Sequence, residues 1–127
     1  MDRLEKVLEE LREFVAEREW HQFHDPKNLA MAIASEAGEL LAEYRWVSNA
    51  EADGYTKSEE VRRRVAAEAA DIGIALLLFC ERTGIDLPAA IIEKMKTNQK
   101  NYPTSVSRGK ADRARSRKGS ETSGTSG

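Results

Sequence analysis

Residues 61–79 read VRRRVAAEAADIGIALLLF, and apolar side chains recur along them at the spacing of a helix face that packs against a core. A second stripe of the same kind runs through LAMAIASEAGEL at residues 29–40. In the middle of each stripe one slot holds a glutamate, Glu68 in the first and Glu36 in the second. The pattern predicts two long helices that bury their apolar stripes, each interrupted by a carboxylate. The stripes are Val61, Val65, Glu68, Ile72, Ala75 and Phe79, and Leu29, Ile33, Glu36 and Leu40.

Each of these glutamates has an acidic partner three residues further on, on the same side of its helix: Glu39 after Glu36, and Asp71 after Glu68. Four negative charges directed into one core are unfavourable unless a positive charge lies among them. Carboxylate oxygens favour Mg²⁺, with Mn²⁺ as a substitute. Glu43 extends the first acidic set and is either a further ligand or a boundary residue.

Other metal sites fit the sequence less well. Zinc is disfavoured because the two histidines, His21 and His24, lie in a predicted loop, and Cys80 belongs to an apolar run. A di-iron site in a helical bundle needs a histidine three residues after a glutamate on two helices, and no acidic residue here has one.

Four helices account for the periodic part of the chain, so we expect an all-α fold. Their predicted ranges are 2–19, 26–46, 59–82 and 87–101, the last three opening on Asp25-Pro26, Ser58 and Asp86. Residues 20–25 and 47–57 are predicted to be connections. Residues 1–103 are expected to form one domain, and residues 104–127, rich in Ser, Gly, Arg and Lys, a disordered tail.

Charge and hydropathy narrow the class of partner. The net charge is −2; the tail has six basic and two acidic residues, which leaves −6 on residues 1–103. An acidic body argues against an extended nucleic-acid surface. The longest apolar run, residues 72–80, is too short to span a bilayer, and the acidic N-terminal segment does not resemble a signal peptide. We therefore expect a cytoplasmic protein without a membrane or nucleic-acid partner.

Several segments together resemble the MazG-like nucleoside triphosphate pyrophosphohydrolases, in particular the dCTP pyrophosphatase branch. They are FVAEREWHQFHDPKNL at residues 14–29, EAGEL at 36–40 followed by Arg45-Trp46, EAADI at 68–72, and the block from GIDLP at 84–88 to Tyr102-Pro103. The resemblance covers residues 4–103 in order.

The resemblance implies a helical fold that assembles as a homotetramer, or at least a dimer, with sites shared between subunits. It implies Mg²⁺-dependent cleavage between the α- and β-phosphates of a nucleoside triphosphate, with dCTP or a modified dCTP favoured. Glu36, Glu39, Glu68 and Asp71 fall on the family's metal-ligand positions. Either Glu36 or Glu39 is expected to orient the attacking water. Trp20, His24 and Trp46 resemble nucleoside-pocket residues, with His24 contacting the base or capping the loop.

Two further groups of residues are candidates for the phosphates. Lys94 and Asn98 lie on adjacent turns of the last predicted helix, with Lys100 and Tyr102 after them, and Lys27 and Asn28 lie at a helix start.

The chain departs from the branch at Ala75, where a tyrosine is frequent, and at Leu11, where some relatives have a histidine. The base preference is therefore open. Two alternatives also remain: an enzyme like phosphoribosyl-ATP pyrophosphohydrolase, and a non-catalytic helical oligomerisation module.

Overall fold

A computed structural model describes residues 2–109, and every regular element among them is helical. The elements are α1 (Arg3–Glu17), a 3₁₀ helix (Trp20–Phe23), α2 (Pro26–Tyr44), α3 (Ala52–Tyr55), α4 (Glu59–Thr83), α5 (Leu87–Asn101) and α6 (Thr104–Ser107). The predicted all-α class is confirmed. The four long helices match the predicted ranges to within two residues at each end.

Side-chain caps define where the long helices begin. Asp25 accepts a hydrogen bond from the Asn28 backbone N–H at 3.0 Å, Ser58 accepts one from Val61, and Asp86 accepts one from Ala89 at 3.0 Å. These bonds satisfy backbone donors that a first helical turn leaves unpaired.

The connections contain short helices that periodicity does not reveal. Trp20–Phe23 forms a 3₁₀ turn, and Glu19 before it adopts φ 53, in the left-handed region. Ala52–Tyr55 forms one helical turn within the second predicted connection. Segments of four residues are shorter than the period that identifies an amphipathic helix, so the sequence pattern carries no signal for them.

The helices α2 and α4 pack along each other in antiparallel directions, with their apolar stripes half-buried or buried. Leu29 and Ala75 are the buried members of the stripes. On α1, Val15 is buried. Arg12 of α1 donates from Nε to the Glu81 carboxylate of α4 at 3.1 Å. The pair α2 and α4 is therefore the platform on which the predicted carboxylates meet.

The chain divides into two compact units, Met1–Ile85 and Asp86–Gly127. The first contains α1 to α4, and the described part of the second contains α5 and α6. The expectation of a disordered tail from residue 104 is wrong for Thr104–Ser107, which forms a helical turn after Pro103. The rest of that tail, from residue 110, lies outside the described residues. A single domain over residues 1–103 stays a prediction.

Many large apolar side chains remain on the surface of the described chain. Trp46 is 88% exposed and Leu41 69%, whereas few side chains are fully buried. Monomeric proteins seldom leave so much apolar surface in water. Along residues 2–109, none of the helices combines the length and hydropathy needed to cross a bilayer.

Replacing Gly84 is expected to destabilise the first unit through backbone conformation alone. Gly84 ends α4 at φ 72, and a Cβ there would meet no atom within 4 Å. Gly84→Ala should therefore lower the free energy of unfolding by about 1–2 kcal/mol, the cost of the left-handed region for an L-residue. Gly84→Asn is the control and should lose less, because asparagine tolerates this conformation. Urea unfolding measures both, and equal losses would contradict this account.

Candidate functional site

Three of the four predicted carboxylates lie together where α2 and α4 face each other. Glu36, Glu68 and Asp71 each offer a carboxylate oxygen, and these three oxygens lie within 4.8 Å of one another. Glu36 comes from α2 and the other two from α4, one turn apart. The packing of the two helices thus assembles an acidic cluster from residues that lie far apart in the sequence.

The four carboxylates differ in their exposure to solvent. Glu36 and Glu68 are half-buried, in line with their slots in the apolar stripes, whereas Glu39 and Asp71 are exposed. The expectation that all four point into a core is therefore wrong for Glu39 and Asp71. A step of three residues rotates a side chain by about 60° from the stripe, which carries both partners to its edge. Glu39 contributes no oxygen to this cluster, but its charge acts on Glu68.

The surroundings of Glu68 disfavour its ionised form. Partial burial raises the pKa of the Glu68 carboxyl above its usual value, and the negative charges of Glu39, Asp71 and Glu36 raise it further. Burial and like charges both act against the carboxylate. A bound cation would reverse both effects.

The donor set fits a hard divalent cation. All three clustered groups are carboxylates, and oxygen ligands at about 2.1 Å are what Mg²⁺ requires. Glu36, Glu68 and Asp71 would hold such an ion between the two helices, and its charge would neutralise theirs. The metal role of Glu36, Glu39, Glu68 and Asp71 stays a prediction.

An apolar cavity of about 440 Å³ adjoins the cluster, and Glu36 and Asp71 form part of its wall. Trp20, His24 and Asn28 of the predicted nucleoside site also line it. The Trp20 ring packs edge-on against Phe14, with centroids 5.6 Å apart, and against His24 at 6.5 Å. The remaining lining is apolar and includes Leu11, Leu29 and Ala75. The two positions that depart from the dCTP branch, Leu11 and Ala75, therefore both face this cavity.

Hydrogen bonding fixes the orientation of the Asn28 side chain. Its Nδ2 donates to the Phe23 carbonyl at 3.2 Å. Because a carbonyl oxygen only accepts, the amide nitrogen must face Phe23, which leaves the Asn28 Oδ1 as the acceptor. Lys27, its neighbour, is exposed on the first turn of α2 and is not part of the cavity lining.

Trp46 lies away from Trp20, in a second cavity of about 470 Å³ on the other side of the carboxylates. Glu39, Glu43 and Glu68 share that cavity with it. Within one chain the two tryptophans therefore line different cavities. Their role in a nucleoside pocket stays a prediction. Glu43 is engaged by Arg64 at 3.2 Å and by the Tyr55 hydroxyl at 3.2 Å, which favours its reading as a boundary residue.

The predicted phosphate contacts of the last helix belong to the second unit. Lys94 and Lys100 are exposed on α5, and Asn98 and Tyr102 are half-buried at its end. The Asn98 carbonyl accepts a hydrogen bond from the Tyr102 backbone N–H at 2.7 Å. Their contact with phosphate stays a prediction.

Sequence reasoning missed several residues of the two cavities. Phe14 and Phe23 line the apolar cavity, and an aromatic residue in the polar loop WHQFH was a signal for Phe23. Tyr55 and Arg64 line the second cavity. The signal for Arg64 was its position, one turn before Glu68, but only the antiparallel packing reveals what it faces.

Glu68→Gln is expected to raise the melting temperature of the metal-free protein at neutral pH. The folded-state pKa of Glu68 lies above its usual value of 4.5. The stability linked to its protonation is therefore complete below about that pH and is lost as the pH rises through the folded-state pKa. Glutamine stays neutral, so the variant avoids this loss. Thermal melts in EDTA over a pH series measure it.

In Mg²⁺ the wild type should melt at a higher temperature than Glu68→Gln. A ligand that binds only the folded state stabilises it, and the variant lacks one carboxylate for the metal. Glu13→Gln, on the exposed surface of α1, is the matched control and should melt like the wild type in both conditions. A metal-free Glu68→Gln protein that melts below the wild type at neutral pH would refute the account.

Comparison with known proteins agrees with these features. No protein-family model matches the chain. The chain is 41% identical over 111 residues to dCTP pyrophosphatase 1 of Rattus norvegicus. This alignment covers 84% of this chain and 65% of that protein. It is 37% identical over 108 residues to dCTP pyrophosphatase 1 of Homo sapiens, covering 82% and 64%. The chain thus spans about 65% of the length of the first of these curated relatives.

A solved structure shares both the fold and the sequence pattern. The crystal structure of a pyrophosphatase from Archaeoglobus fulgidus superposes with a TM-score of 0.75 at 36% sequence identity. The match covers 81% of this chain and 94% of that one. With this relative covered almost in full, the chain belongs to the MazG-like family of all-α pyrophosphohydrolases.

Proposed function

We propose that this protein hydrolyses nucleoside triphosphates to the monophosphate and pyrophosphate in a Mg²⁺-dependent reaction, with dCTP or a modified dCTP favoured. The observation that carries the proposal is the continuity of two environments. An apolar cavity of about 440 Å³ with Trp20 and His24 in its lining has Glu36 and Asp71 in the same wall. A base and sugar in that cavity would have their phosphates beside the carboxylates.

The residues of the cluster suit this reaction. Glu36, Glu68 and Asp71 would hold Mg²⁺, with Glu39 beside them. When bound, Mg²⁺ supplies charge neutralisation and polarises a phosphoryl oxygen. Glu36 or Glu39 would accept a hydrogen bond from the attacking water and so orient it toward the α-phosphate. Lys94, Asn98, Lys100 and Tyr102, with Lys27, are the proposed contacts to the outer phosphates.

The preference for cytosine is supported by the side chains of the cavity. Trp20 offers an aromatic face for stacking. The free Oδ1 of Asn28 is a hydrogen-bond acceptor, which suits the exocyclic amino group of cytosine and is repelled by the keto oxygen of thymine or uracil. Asn28 would therefore contact the base through Oδ1, and its second Nδ2–H remains a donor for the phosphate contact that the sequence predicts. The small side chain of Ala75 leaves room for a substituent on the base.

We further propose that the protein is a cytoplasmic homo-oligomer, with a tetramer favoured over a dimer. The exposed apolar side chains of α2, including Met31 and Leu41, support an interface between copies. Assembly would also resolve the position of Trp46, which is 88% exposed in one chain. A neighbouring copy would supply this ring to the cavity that Trp20 lines.

The direct test incubates the purified protein with each common dNTP and NTP, in Mg²⁺ and in EDTA, and separates the products by ion-exchange chromatography. We expect dCMP and pyrophosphate from dCTP, in Mg²⁺ only. Glu36→Gln should lower kcat more than about a hundredfold, beyond what loss of an outer-shell group costs. Glu13→Gln, an exposed residue of α1, should leave kcat unchanged.

Failure to turn over any triphosphate would refute the proposal. Phosphoribosyl-ATP, supplied as a substrate in the same assay, tests the related enzyme class. A protein inert toward this compound as well would be a helical binding module.

Removal of either tryptophan should weaken nucleotide binding. Stacking of a base on an aromatic side chain contributes about 1–3 kcal/mol. Trp20→Leu and Trp46→Leu should therefore each raise the KM for dCTP by at least about fivefold. Steady-state kinetics measure both, and sedimentation velocity shows whether Trp46→Leu still assembles. A normal KM in an assembled Trp46→Leu protein would show that a neighbouring copy does not supply the ring.

A further inference from the structure

Three pairs of charged residues face each other along the antiparallel helices α2 and α4 and form a charged ladder. On α2 the positions Glu36, Glu39 and Glu43 follow steps of three and four residues. On α4 the positions Asp71, Glu68 and Arg64 follow the same steps in the reverse direction. Contacts fix both ends of this ladder, since Glu36 meets Asp71 and Glu43 meets Arg64. The third pair, Glu43 and Arg64, lies one helical turn beyond Glu39 and Glu68.

The first two pairs of the ladder repel and the third attracts. Glu36 with Asp71, and Glu39 with Glu68, place carboxylates against carboxylates, and all of these partners raise the pKa of Glu68. The pair of Glu43 and Arg64 holds opposite charges. Its attraction acts between the same two helices that the other pairs push apart.

The bond between Arg64 and Glu43 differs from an ordinary surface ion pair. Arg64 Nε donates to both carboxylate oxygens of Glu43, at 3.3 and 3.2 Å, and the Glu43 side chain is only 18% exposed. The Tyr55 hydroxyl donates to the same carboxylate at 3.2 Å, and the Tyr55 ring packs against Tyr44 at 5.1 Å. Shared donors and low exposure hold Glu43 in one orientation.

The preceding residue of α4, Arg63, provides the contrast. Arg63 pairs with Glu59 on its own helix at 3.7 Å, and both side chains are more than 70% exposed. Pairs of this kind contribute little to stability. They also join no second helix, so they cannot set a distance between helices.

We propose that Arg64, paired with the Glu43 carboxylate to which Tyr55 also donates, is a positioning residue that sets the separation and register of α2 and α4 at the carboxylate site. By drawing the two helices together one turn away, it keeps Glu36 of α2 close enough to Glu68 and Asp71 of α4 for the three carboxylates to share a cation. Glu43 is thereby committed to the clamp and is not a metal ligand. The inference rests on the proposed function, because it concerns the cation that the hydrolysis requires.

The test measures the binding of Mn²⁺ alone by calorimetry, without nucleotide. Arg64→Met keeps much of the side-chain length and removes the charge. It should weaken Mn²⁺ binding ten- to a hundredfold, the range found when outer-shell partners of metal ligands are removed. Arg63→Met is the matched control and should bind Mn²⁺ like the wild type. Arg64→Lys keeps the charge but not the two-oxygen contact of Nε, so it should recover only part of the loss.

Kinetics separate positioning from contact with the substrate. In Arg64→Met the Mg²⁺ concentration for half-maximal rate should rise by the same factor as the Mn²⁺ dissociation constant, while the KM for dCTP at saturating Mg²⁺ stays unchanged. If Arg64→Met does not fold, Glu43→Gln removes the same pair from the other side and should show the same two effects.

Equal Mn²⁺ affinities in Arg64→Met and Arg63→Met would overturn the inference while leaving the proposed function intact. So would a raised KM at saturating Mg²⁺ with normal Mn²⁺ binding, which would make Arg64 a substrate contact. A wild-type protein that binds no Mn²⁺ and hydrolyses no triphosphate would instead refute the proposed function, and the inference with it.

Discussion

The repulsion between carboxylates on two packed helices is the constraint on which the rest of this structure depends. Burial of the apolar stripes brings α2 and α4 together, and the same contact forces Glu36, Glu68 and Asp71 to within 4.8 Å of one another. Hydrophobic burial is non-directional, so it holds the helices together without relieving the charges. The repulsion between the carboxylates therefore persists in the folded chain, and it favours the binding of a positive charge among them.

The two cavities beside this helix pair offer different chemical environments. On one side, apolar groups around Trp20 form a cavity suited to a base and sugar. On the other, Glu39, Glu43, Glu68 and Arg64 form a polar cavity where charge can be compensated. The carboxylate cluster lies between them. A ligand with an apolar ring at one end and phosphates at the other matches this order of environments.

The sequence predicts the long helices and the identity of the acidic cluster because both follow from helical periodicity. Glu36 and Glu68 interrupt apolar stripes, and this is visible without any structure. The edge positions of Glu39 and Asp71 were not predicted. The spacing of residues assigns each one to a helix face, but it does not show whether the residue lies at the centre or at the edge of that face. The short helices at Trp20–Phe23 and Ala52–Tyr55 depend on local hydrogen bonds within four residues, which leave no periodic signal.

The contact between Glu43 and Arg64 could not be predicted from the sequence for a different reason. It depends on how far one helix slides along the other, and a shift of one turn would give Arg64 another partner. The separation of Trp46 from Trp20 is likewise a property of tertiary packing. Resemblance to a family assigns both rings to a nucleoside pocket, but it does not give the packing that would bring them together.

The connection between α2 and α4 runs over residues 45–58, and the charged ladder joins residues that are 21 positions apart at Glu43 and Arg64. Because the entropy cost of closing a loop grows only slowly with its length, a connection of this size opposes the contact modestly. Wherever α2 and α4 already lie together in the folding transition state, their carboxylates repel each other there as well, and that repulsion would slow folding. Cations that offset the repulsion would then raise the folding rate before any substrate is present.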